Sequence, residues 1–223
     1  MLELARSGSP EGLWLRAERQ TRGRGRLGRA WEAPVGNLSA STLVRIRAWE
    51  PPTATLALVA AVALEETATL YLARAGGGDR LQLKWPNDLV LGSAKVSGIL
   101  LERTDDAVVI GIGVNLAAHP DLPDRLTTSL AAHGAQIEPG PFLETLAEAF
   151  ARWLSRWRGE GLAPVRARWL ERAHPIGTAL TANLPDGTAF DGLFDGLDPD
   201  GALILRLASG ERRVIHAGDI FLL

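Results

Sequence analysis

A chain of 223 residues with 46% apolar and 22% charged residues is typical of a soluble globular protein with one main domain and a smaller one. The formal net charge of −2 gives no general attraction to nucleic acid or to an anionic membrane. The absence of cysteine excludes disulfides, thiol catalysis and cysteine-ligated zinc, and four scattered histidines disfavour a metal centre built from protein side chains alone.

The N-terminal part of the sequence predicts two strands separated by a loop. Residues 13–19 and 37–47 alternate between apolar and polar in the manner of strands. Residues 20–36 between them are rich in glycine and arginine, which predicts a loop.

A helix follows, and it begins near Thr53 after two prolines and ends at the glycines 76–78. Its apolar run from Leu56 to Leu64 is too short to span a bilayer, and the first residues of the chain do not form a signal peptide. We therefore expect a soluble, cytoplasmic protein.

The remainder of the chain predicts three strands, an irregular segment, a helical region and a run of short strands. The strands cover residues 80–85, 95–103 and 107–114, with turns at Asn87–Asp88 and Gly92–Ser93. Residues 116–137 are irregular, and residues 139–172 are helical with a break near 159–164. From His174 onward, closely spaced DG and SG turns predict a small β-barrel, which puts a domain boundary at 173–175.

An arginine- and glycine-rich loop is the first candidate binding element. Residues 22–29 read RGRGRLGR, and Trp31 follows. Glycine tolerates positive φ and lets the backbone approach a ligand closely, while several arginine forks can surround one anion. No GK[ST] follows, which excludes a Walker A loop, and the next element is a strand, which disagrees with the Rossmann fingerprint. Because the segment is a single copy between two strands, a polyphosphate-binding loop is favoured over an RGG-like RNA-binding segment or a plain solvated loop.

Two lysines form the second candidate element. The chain has 22 arginines, but Lys84 and Lys95 are its two lysines. Lysine is a compact charge on a flexible stem, which suits a phosphate or carboxylate oxygen at close range. Lys84 opens the sequence KWPND, in which Asn87 and Asp88 are typical of a turn. The functional interpretation puts Lys84 and Asp88 on a pocket rim, where the carboxylate can meet Mg²⁺; chance retention of the lysines and a functionless hairpin are the alternatives.

Glycines inside buried strands form the third candidate element. Gly98, Gly111 and Gly113 interrupt otherwise apolar strands, where glycine is weakening unless a ligand or another backbone comes close. Each glycine alone could be a bulge, but the set on adjacent strands predicts a flat ligand lying on the sheet. Asn115 ends its strand with an amide that can both donate and accept.

The order GRGRLGRAW, KWPNDLVL, KVSGILLE, GIGVN closely resembles that of the biotin protein ligases (biotin–[acetyl-CoA-carboxylase] ligases) over about residues 13–116. The resemblance implies an α+β catalytic domain, with a central mixed β-sheet and flanking helices, in residues 1–173 and a small SH3-like β-barrel in residues 174–223. It implies formation of biotinyl-5′-AMP and pyrophosphate from biotin and ATP with Mg²⁺, then transfer of biotin to one lysine of a biotin carboxyl carrier domain. It also implies a monofunctional, cytoplasmic enzyme, monomeric or homodimeric, without the N-terminal helix-turn-helix of bifunctional members and therefore without DNA binding.

By position, the resemblance assigns residues to two subsites and to the chemistry. The contacts to biotin and to the adenylate fall on Gln20, Gly23, Arg24, Gly25, Arg26, Lys95, Gly98, Gly111 and Gly113, the last three beneath biotin. The nucleotide contacts fall on Arg29, Trp31, Asn87 and Asn115, with Trp31 beside adenine. The residues assigned to catalysis are Lys95, Arg26, Lys84 and Asp88. Lys95 would steady the charge that grows in the in-line displacement, Lys84 would assist with phosphate, and Asp88 would hold the metal or deprotonate the acceptor lysine.

The sequence departs from the family pattern at its start. Members carry a Ser-Thr-Asn-type segment that contacts biotin just before the position of Met1, whereas MLELARSGSPEG matches the helix after it. An N-terminally truncated, biotin-binding homologue of weak activity is therefore one alternative. Leu27, where some members have arginine, is expected to matter little.

Two further alternatives come from other classes of protein. A lipoate or octanoate ligase of the same fold would not be expected to combine GRGRLGRAW with KWPND. A non-enzymatic nucleic-acid module would need a basic face, which the net charge of −2 does not favour.

Overall fold

A six-stranded sheet forms the centre of the protein's N-terminal part in a computed structural model that describes residues 1–76, 80–123 and 125–223. The strands are β1 (Trp14–Arg16), β2 (Leu38–Arg45), β3 (Leu81–Lys84), β4 (Asp88–Leu91), β5 (Ala94–Thr104) and β6 (Ala107–Val114). They lie in the order β1-β2-β6-β5-β4-β3, and each ladder between these strands is antiparallel. Parallel bridges join Lys95 to Thr127 and Leu83 to Ala173.

Helices cover one face of this sheet and leave most of the other face to a cleft. The helices are α1 (Leu2–Arg6), α2 (Leu56–Arg74), α3 (Pro139–Glu160) and α4 (Ala163–Arg172). Alternate residues of β6, such as Ile110 and Ile112, join α2, α3 and α4 in the main core, because side chains of a strand point to opposite faces in turn. On the opposite face, Ala5 of α1 packs with Leu43 and Val109 in a small second cluster.

Helix α2 is a core helix. The segment Thr53–Arg74 has the length and the mean hydropathy, 1.6, of a membrane span, but 67% of its most apolar window is buried inside the fold. The apolar run from Leu56 to Leu64 is thus only part of a longer apolar helix, and burial rather than shortness identifies its role.

The predicted strands and helices of this part are confirmed, with ends shifted by a few residues. The turn predicted at Asn87–Asp88 is wrong in one respect, because Asp88 begins β4, which pairs with β3 on one side and β5 on the other. Four residues between two turn signals carry too little periodicity to identify a strand. Arg74 ends α2, while residues 77–79, which include two of the predicted terminating glycines, lie outside the described residues.

A five-stranded antiparallel sheet, here called the C-terminal sheet, follows the helices. Its strands are β7 (Ala179–Asn183), β8 (Ala189–Leu197), β9 (Leu203–Arg206), β10 (Arg212–Ile215) and β11 (Asp219–Leu222). Their order is β10-β9-β8-β7-β11, so β10 and β11 form opposite edges and the described strands do not close into a barrel. Only residues 216–218 connect these two strands, so the sheet must curl until its edges approach each other.

The C-terminal sheet docks directly on the N-terminal part. The Trp85 indole N–H donates to the carbonyl of Gly201 at 3.3 Å, and the Arg166 guanidinium Nε donates to the carbonyl of Leu197 at 2.9 Å. This contact places β11 beside the cleft. The division into domains of residues 1–173 and 174–223 stays a prediction.

Candidate active site

One register row across the sheet forms the floor of the site. It runs from Ser39 in β2 through Gly113, Gly98 and Asp88 to Lys84 in β3. Paired residues of an antiparallel sheet share a face, so the two glycines leave a flat centre between polar ends.

A cleft of about 1000 Å³ lies over this row. The structure brings together on its walls almost the whole set of predicted site residues: Gln20, Arg24, Gly25, Arg26, Arg29, Trp31, Lys84, Asn87, Asp88, Lys95, Gly98, Gly111, Gly113 and Asn115. Gly23 lies behind the wall, where its carbonyl accepts the Trp31 backbone N–H at 3.0 Å. A Cβ at Gly23 would be 2.2 Å from the Trp31 carbonyl oxygen, so glycine is needed for this close approach.

The two lysines lie at one end of the row, next to a carboxylate. Lys95 Nζ is 2.6 Å from Asp88 Oδ1, and both side chains are 18% exposed. Burial lowers the pKa of the Lys84 ammonium; the carboxylates of Asp88 and Asp219 oppose that shift, and the charge of Lys95 adds to it. Lys84 Nζ also lies 5.4 Å from the centre of the Phe221 ring, in cation–π geometry. Two cations are thus concentrated beside the glycine floor.

The arginine loop closes as a narrow hairpin above the other side of the floor. Arg24 bridges Ala30, and the Gly25 N–H donates to the Arg29 carbonyl at 2.7 Å. Carboxylates outside the loop balance its positive charge: Arg24 pairs with Glu102 at 3.2 Å, and Arg26 and Arg29 both pair with Asp219. These ion pairs reduce the mutual repulsion of the arginine side chains in the loop.

The Trp31 ring lies directly on the floor. A Cβ at Gly113 would be 2.4 Å from Trp31 Cε2, and a Cβ at Gly98 would be 3.4 Å from Trp31 Cζ3. The indole nitrogen is buried without a hydrogen-bond partner among the described residues. In this structure Trp31 thus fills the space that the resemblance assigns to biotin, and a flat ligand on Gly113 requires the ring to move. Its predicted place beside adenine stays a prediction.

The two predicted asparagines hold the ends of strands. The Asn115 amide is buried; its Nδ2 donates to the Thr128 carbonyl at 3.1 Å, and its Oδ1 accepts from Asn37 Nδ2 at 3.3 Å. Asn87 Nδ2 donates to the Ile99 carbonyl. These bonds shape the loops that border the cleft, and the predicted nucleotide contacts of both residues stay predictions.

The cleft residues that were not identified from the sequence include Ser39, Ser41, Asp219 and Phe221. Ser39 Oγ donates to Gln20 Oε1 at 3.2 Å, which fixes the Gln20 side chain over the floor. The alternation of Ser39 and Ser41 with the apolar residues Leu38 and Ala40 was a usable signal, because it puts both serines on one face of the strand. Asp219 and Phe221 had none, because their place in the cleft depends on how the C-terminal sheet docks.

The glycine floor is flat, and two ammonium groups and the arginine loop border it. These features are typical of a binding site for a small organic acid and a phosphate-carrying partner. It suits a small molecule with a planar ring and an acid group, joined to a partner that carries phosphate. The large antiparallel sheet, with α2, α3 and α4 on one face and the cleft on the other, together with a small C-terminal sheet, is the matching architecture.

Comparison with known proteins identifies the family. The sequence matches the model of the Biotin/lipoate A/B protein ligase family over residues 3–115 and that of the Biotin protein ligase C terminal domain over residues 176–223. The chain belongs to the biotin protein ligase family.

Relatives that match over most of the chain belong to the same family. The chain is 41% identical to a Paracoccus denitrificans biotin–[acetyl-CoA-carboxylase] ligase over 220 residues, covering 93% of this chain and 89% of that protein. It is 34% identical to the bifunctional ligase/repressor BirA of Bacillus subtilis, covering 98% of this chain and 68% of that protein. The Aquifex aeolicus biotin protein ligase in complex with biotin and ATP superposes with a TM-score of 0.83 at 25% identity, covering 99% of this chain and 93% of that one. The predicted biotin ligase fold is thereby confirmed.

Proposed function

We propose that this chain joins biotin and ATP to give biotinyl-5′-AMP and pyrophosphate, and then transfers biotin to one lysine of a carrier domain of a biotin-dependent carboxylase. The row from Ser39 to Lys84 carries the proposal, because it puts a ring-sized flat surface beside ammonium groups and an arginine loop. The names of the Paracoccus and Aquifex relatives agree with this reaction.

In the first step, a carboxylate oxygen of biotin attacks the α-phosphorus of ATP, and the bond from that phosphorus to the bridging oxygen breaks to release pyrophosphate. We assign to Lys95 the stabilisation of the charge that develops in this displacement. Its Nζ lies 3.0 Å from the position of a Cβ on Gly98, so the ammonium stands at the edge of the glycine floor. Catalysis then consists of positioning and electrostatic stabilisation, without a covalent enzyme intermediate. Arg26 and Lys84 would bind phosphate oxygens in the same step.

In the second step, the neutral amine of the acceptor lysine attacks the acyl carbon of the adenylate. An amide bond forms, the bond from the acyl carbon to the phosphate oxygen breaks, and AMP leaves. The acceptor ammonium must first lose one proton to give this neutral amine, and the nitrogen loses a second proton as the amide forms. The Asp88 carboxylate is the candidate acceptor of the first of these protons. Its short contact with Lys95 ties its orientation to the residue that serves the first step.

Magnesium fits the site as a companion of ATP. The described residues contain no group of three or more histidine, aspartate or glutamate side chains that could hold a metal ion by themselves. Mg²⁺ at nucleotide sites is bound by one or two carboxylates together with substrate phosphates, and Asp88 on the cleft wall supplies one such carboxylate. When bound, the ion would neutralise phosphate charge.

The proposal also covers the cellular location, the oligomeric state and the partners of the enzyme. We place it in the cytoplasm, as a monomer or homodimer that acts on a carrier domain and does not bind DNA or a membrane. The net charge of −2 supports the absence of a nucleic-acid partner.

Biotin-dependent exchange of pyrophosphate into ATP tests the first step, with lipoate and octanoate assayed in parallel and Lys95→Ala as the variant. We expect exchange with biotin alone and a loss of about 10²–10³-fold in Lys95→Ala, the size typical of removing one group that stabilises a transition-state charge. Arg152→Ala, which removes an exposed cation on α3 outside the cleft, is the control and should leave the rate unchanged. Exchange with lipoate or octanoate in place of biotin would identify the alternative ligase, and silence with every acid would reject the proposal for this chain.

A further inference from the structure

Strand β11 brings a carboxylate from the C-terminal sheet to the arginine loop. Asp219 Oδ1 accepts from Arg26 Nη1 at 2.9 Å, and Asp219 Oδ2 accepts from Arg29 Nη2 at 2.6 Å. Arg26 Nη1 also donates to the carbonyl of Gly218 at 3.1 Å. One carboxylate therefore spans two guanidinium groups that are about 190 residues away in sequence.

The strand, and not the loop, is the fixed partner in this contact. Asp219 pairs with Asn183 in the ladder between β11 and β7, and the next residue, Ile220, is buried at 3% exposure. Gly218 lets the chain turn tightly into that strand, because a Cβ there would be 2.7 Å from the carbonyl oxygen of Asn183. The side chain of Asp219 is 18% exposed, whereas those of Arg26 and Arg29 are 26% and 43% exposed. The carboxylate therefore holds the arginines in place.

The contact leaves both arginines able to bind an anion. Two guanidinium groups and one carboxylate carry a net charge of +1. Each guanidinium has five N–H donors, of which the contacts with Asp219 use one nitrogen per arginine. Without the carboxylate, the two neighbouring cations would repel each other, and the loop would lose the bond that ties it to the sheet.

We propose that Asp219 is a positioning residue for adenylation: it holds Arg26 and Arg29 at a fixed separation so that their free N–H groups bind phosphate oxygens of ATP. This inference rests on the proposed function and assigns the C-terminal sheet a defined part in the nucleotide side of that site. Asp219 touches no reacting atom. Its effect passes through the two arginines, whose free N–H groups bind phosphate in this proposal, so we expect it to act on the binding of ATP much more than on the binding of biotin.

The test compares Asp219→Asn, Asp219→Glu and Asp195→Asn in the full chain. Asp195 is a matched control, since it too lies in the C-terminal sheet and pairs with two arginines, Arg212 at 2.6 Å and Arg206 at 3.6 Å. In the exchange assay we expect Asp219→Asn to raise the KM for ATP about tenfold, the range for losing a charge-assisted hydrogen bond, with the KM for biotin within twofold of the parent. Asp219→Glu should restore part of the loss, and Asp195→Asn should leave both constants unchanged.

Direct calorimetric titration with ATP on the same variants separates this inference from the proposed function. If the parent chain catalyses no exchange, the proposed function fails, while the affinity for ATP still tests Asp219. An affinity that is unchanged or higher in Asp219→Asn would overturn the positioning role, and a higher one would mean that the carboxylate competes with phosphate. Equal losses for ATP and biotin, or an equal loss in Asp195→Asn, would also overturn it, because they would show a general effect on folding.

Discussion

The ring of Trp31 rests on the backbone of Gly113, so closely that a Cβ on this glycine would lie 2.4 Å from Trp31 Cε2. The same glycine is one of the two glycines in the register row that forms the proposed biotin floor. A side chain of the arginine loop and a flat ligand therefore compete for one surface, and this couples ligand binding to movement of the loop.

Biotin is expected to displace Trp31 and to change its environment. Titration with biotin should change the intrinsic tryptophan fluorescence of the parent chain, and Trp31→Phe should lose most of that change. The comparison variant is Trp49→Phe, which removes an indole that is 76% exposed and lies outside the cleft. An equal signal in Trp31→Phe and the parent would show that the ring stays on the floor when biotin binds.

Alanine at two glycines of β6 should separate ligand contact from packing of Trp31. A Cβ at Gly111 meets its nearest atom at 3.7 Å, an ordinary contact, whereas a Cβ at Gly113 would force the Trp31 ring away. We expect both substitutions to weaken biotin binding in calorimetric titration, because both glycines face the cleft. Only Gly113→Ala should alter the near-ultraviolet circular dichroism of the ligand-free protein. The opposite pattern, with Gly111→Ala disturbing that spectrum, would contradict the packing described here.

Asp88 and Lys95 are expected to act as one unit in adenylation. Asp88→Asn removes the partner of the Lys95 ammonium and should lower the exchange rate by about 10-fold or more, through loss of a charge-assisted bond. If Asp88 acts in adenylation only by orienting the Lys95 ammonium, the loss in the double variant should be no larger than in Lys95→Ala alone; a larger loss would be expected from its second proposed role, as a carboxylate for Mg²⁺. A double variant whose loss equals the product of the two single losses would show that the residues act independently.

His174 should make the protein less stable on the acid side of neutrality. Burial, assisted by the charge of Lys84, lowers the pKa of this imidazole below its ordinary 6.5, and its Nε2 is buried without a partner among the described residues. The unfolded chain therefore binds a proton before the folded protein does, so stability is complete above pH 6.5 and falls as the pH drops through 6.5 towards the folded pKa.

Because one proton is involved, the free energy of unfolding should fall by no more than about 1.4 kcal/mol per pH unit. Chemical denaturation between pH 7.5 and 5 should show the loss in the parent chain, and His174→Gln should remove it. His216→Gln, at an exposed position in the connection between β10 and β11, serves as the reference and should keep the parent's pH dependence. A parent and a His174→Gln variant with parallel curves would rule out His174 as the group responsible.

Local sequence patterns were enough to predict most of the strands and much of the candidate site. Alternation predicted β1 and β2, and short segments bounded by turn signals predicted β3, β5 and β6. The three glycines inside apolar strands predicted a flat surface, because glycine in a strand is costly without a close neighbour. The motifs around Lys84 and Lys95 also indicated their site, since these patterns are continuous in sequence. Strand β4 was not predicted, because four residues are too few to show the alternation of apolar and polar side chains that identifies a strand.

Tertiary structure alone decided which partners meet across the cleft. Nothing near Asp219 in the sequence points to Arg26 or Arg29, because their contact depends on how the C-terminal sheet docks through Trp85 and Gly201. The position of Trp31 on Gly113 likewise follows from the folding back of the arginine loop. Sequence fixes periodicity and the chemistry of each side chain, while contacts between distant segments depend on packing and register, which no local pattern contains.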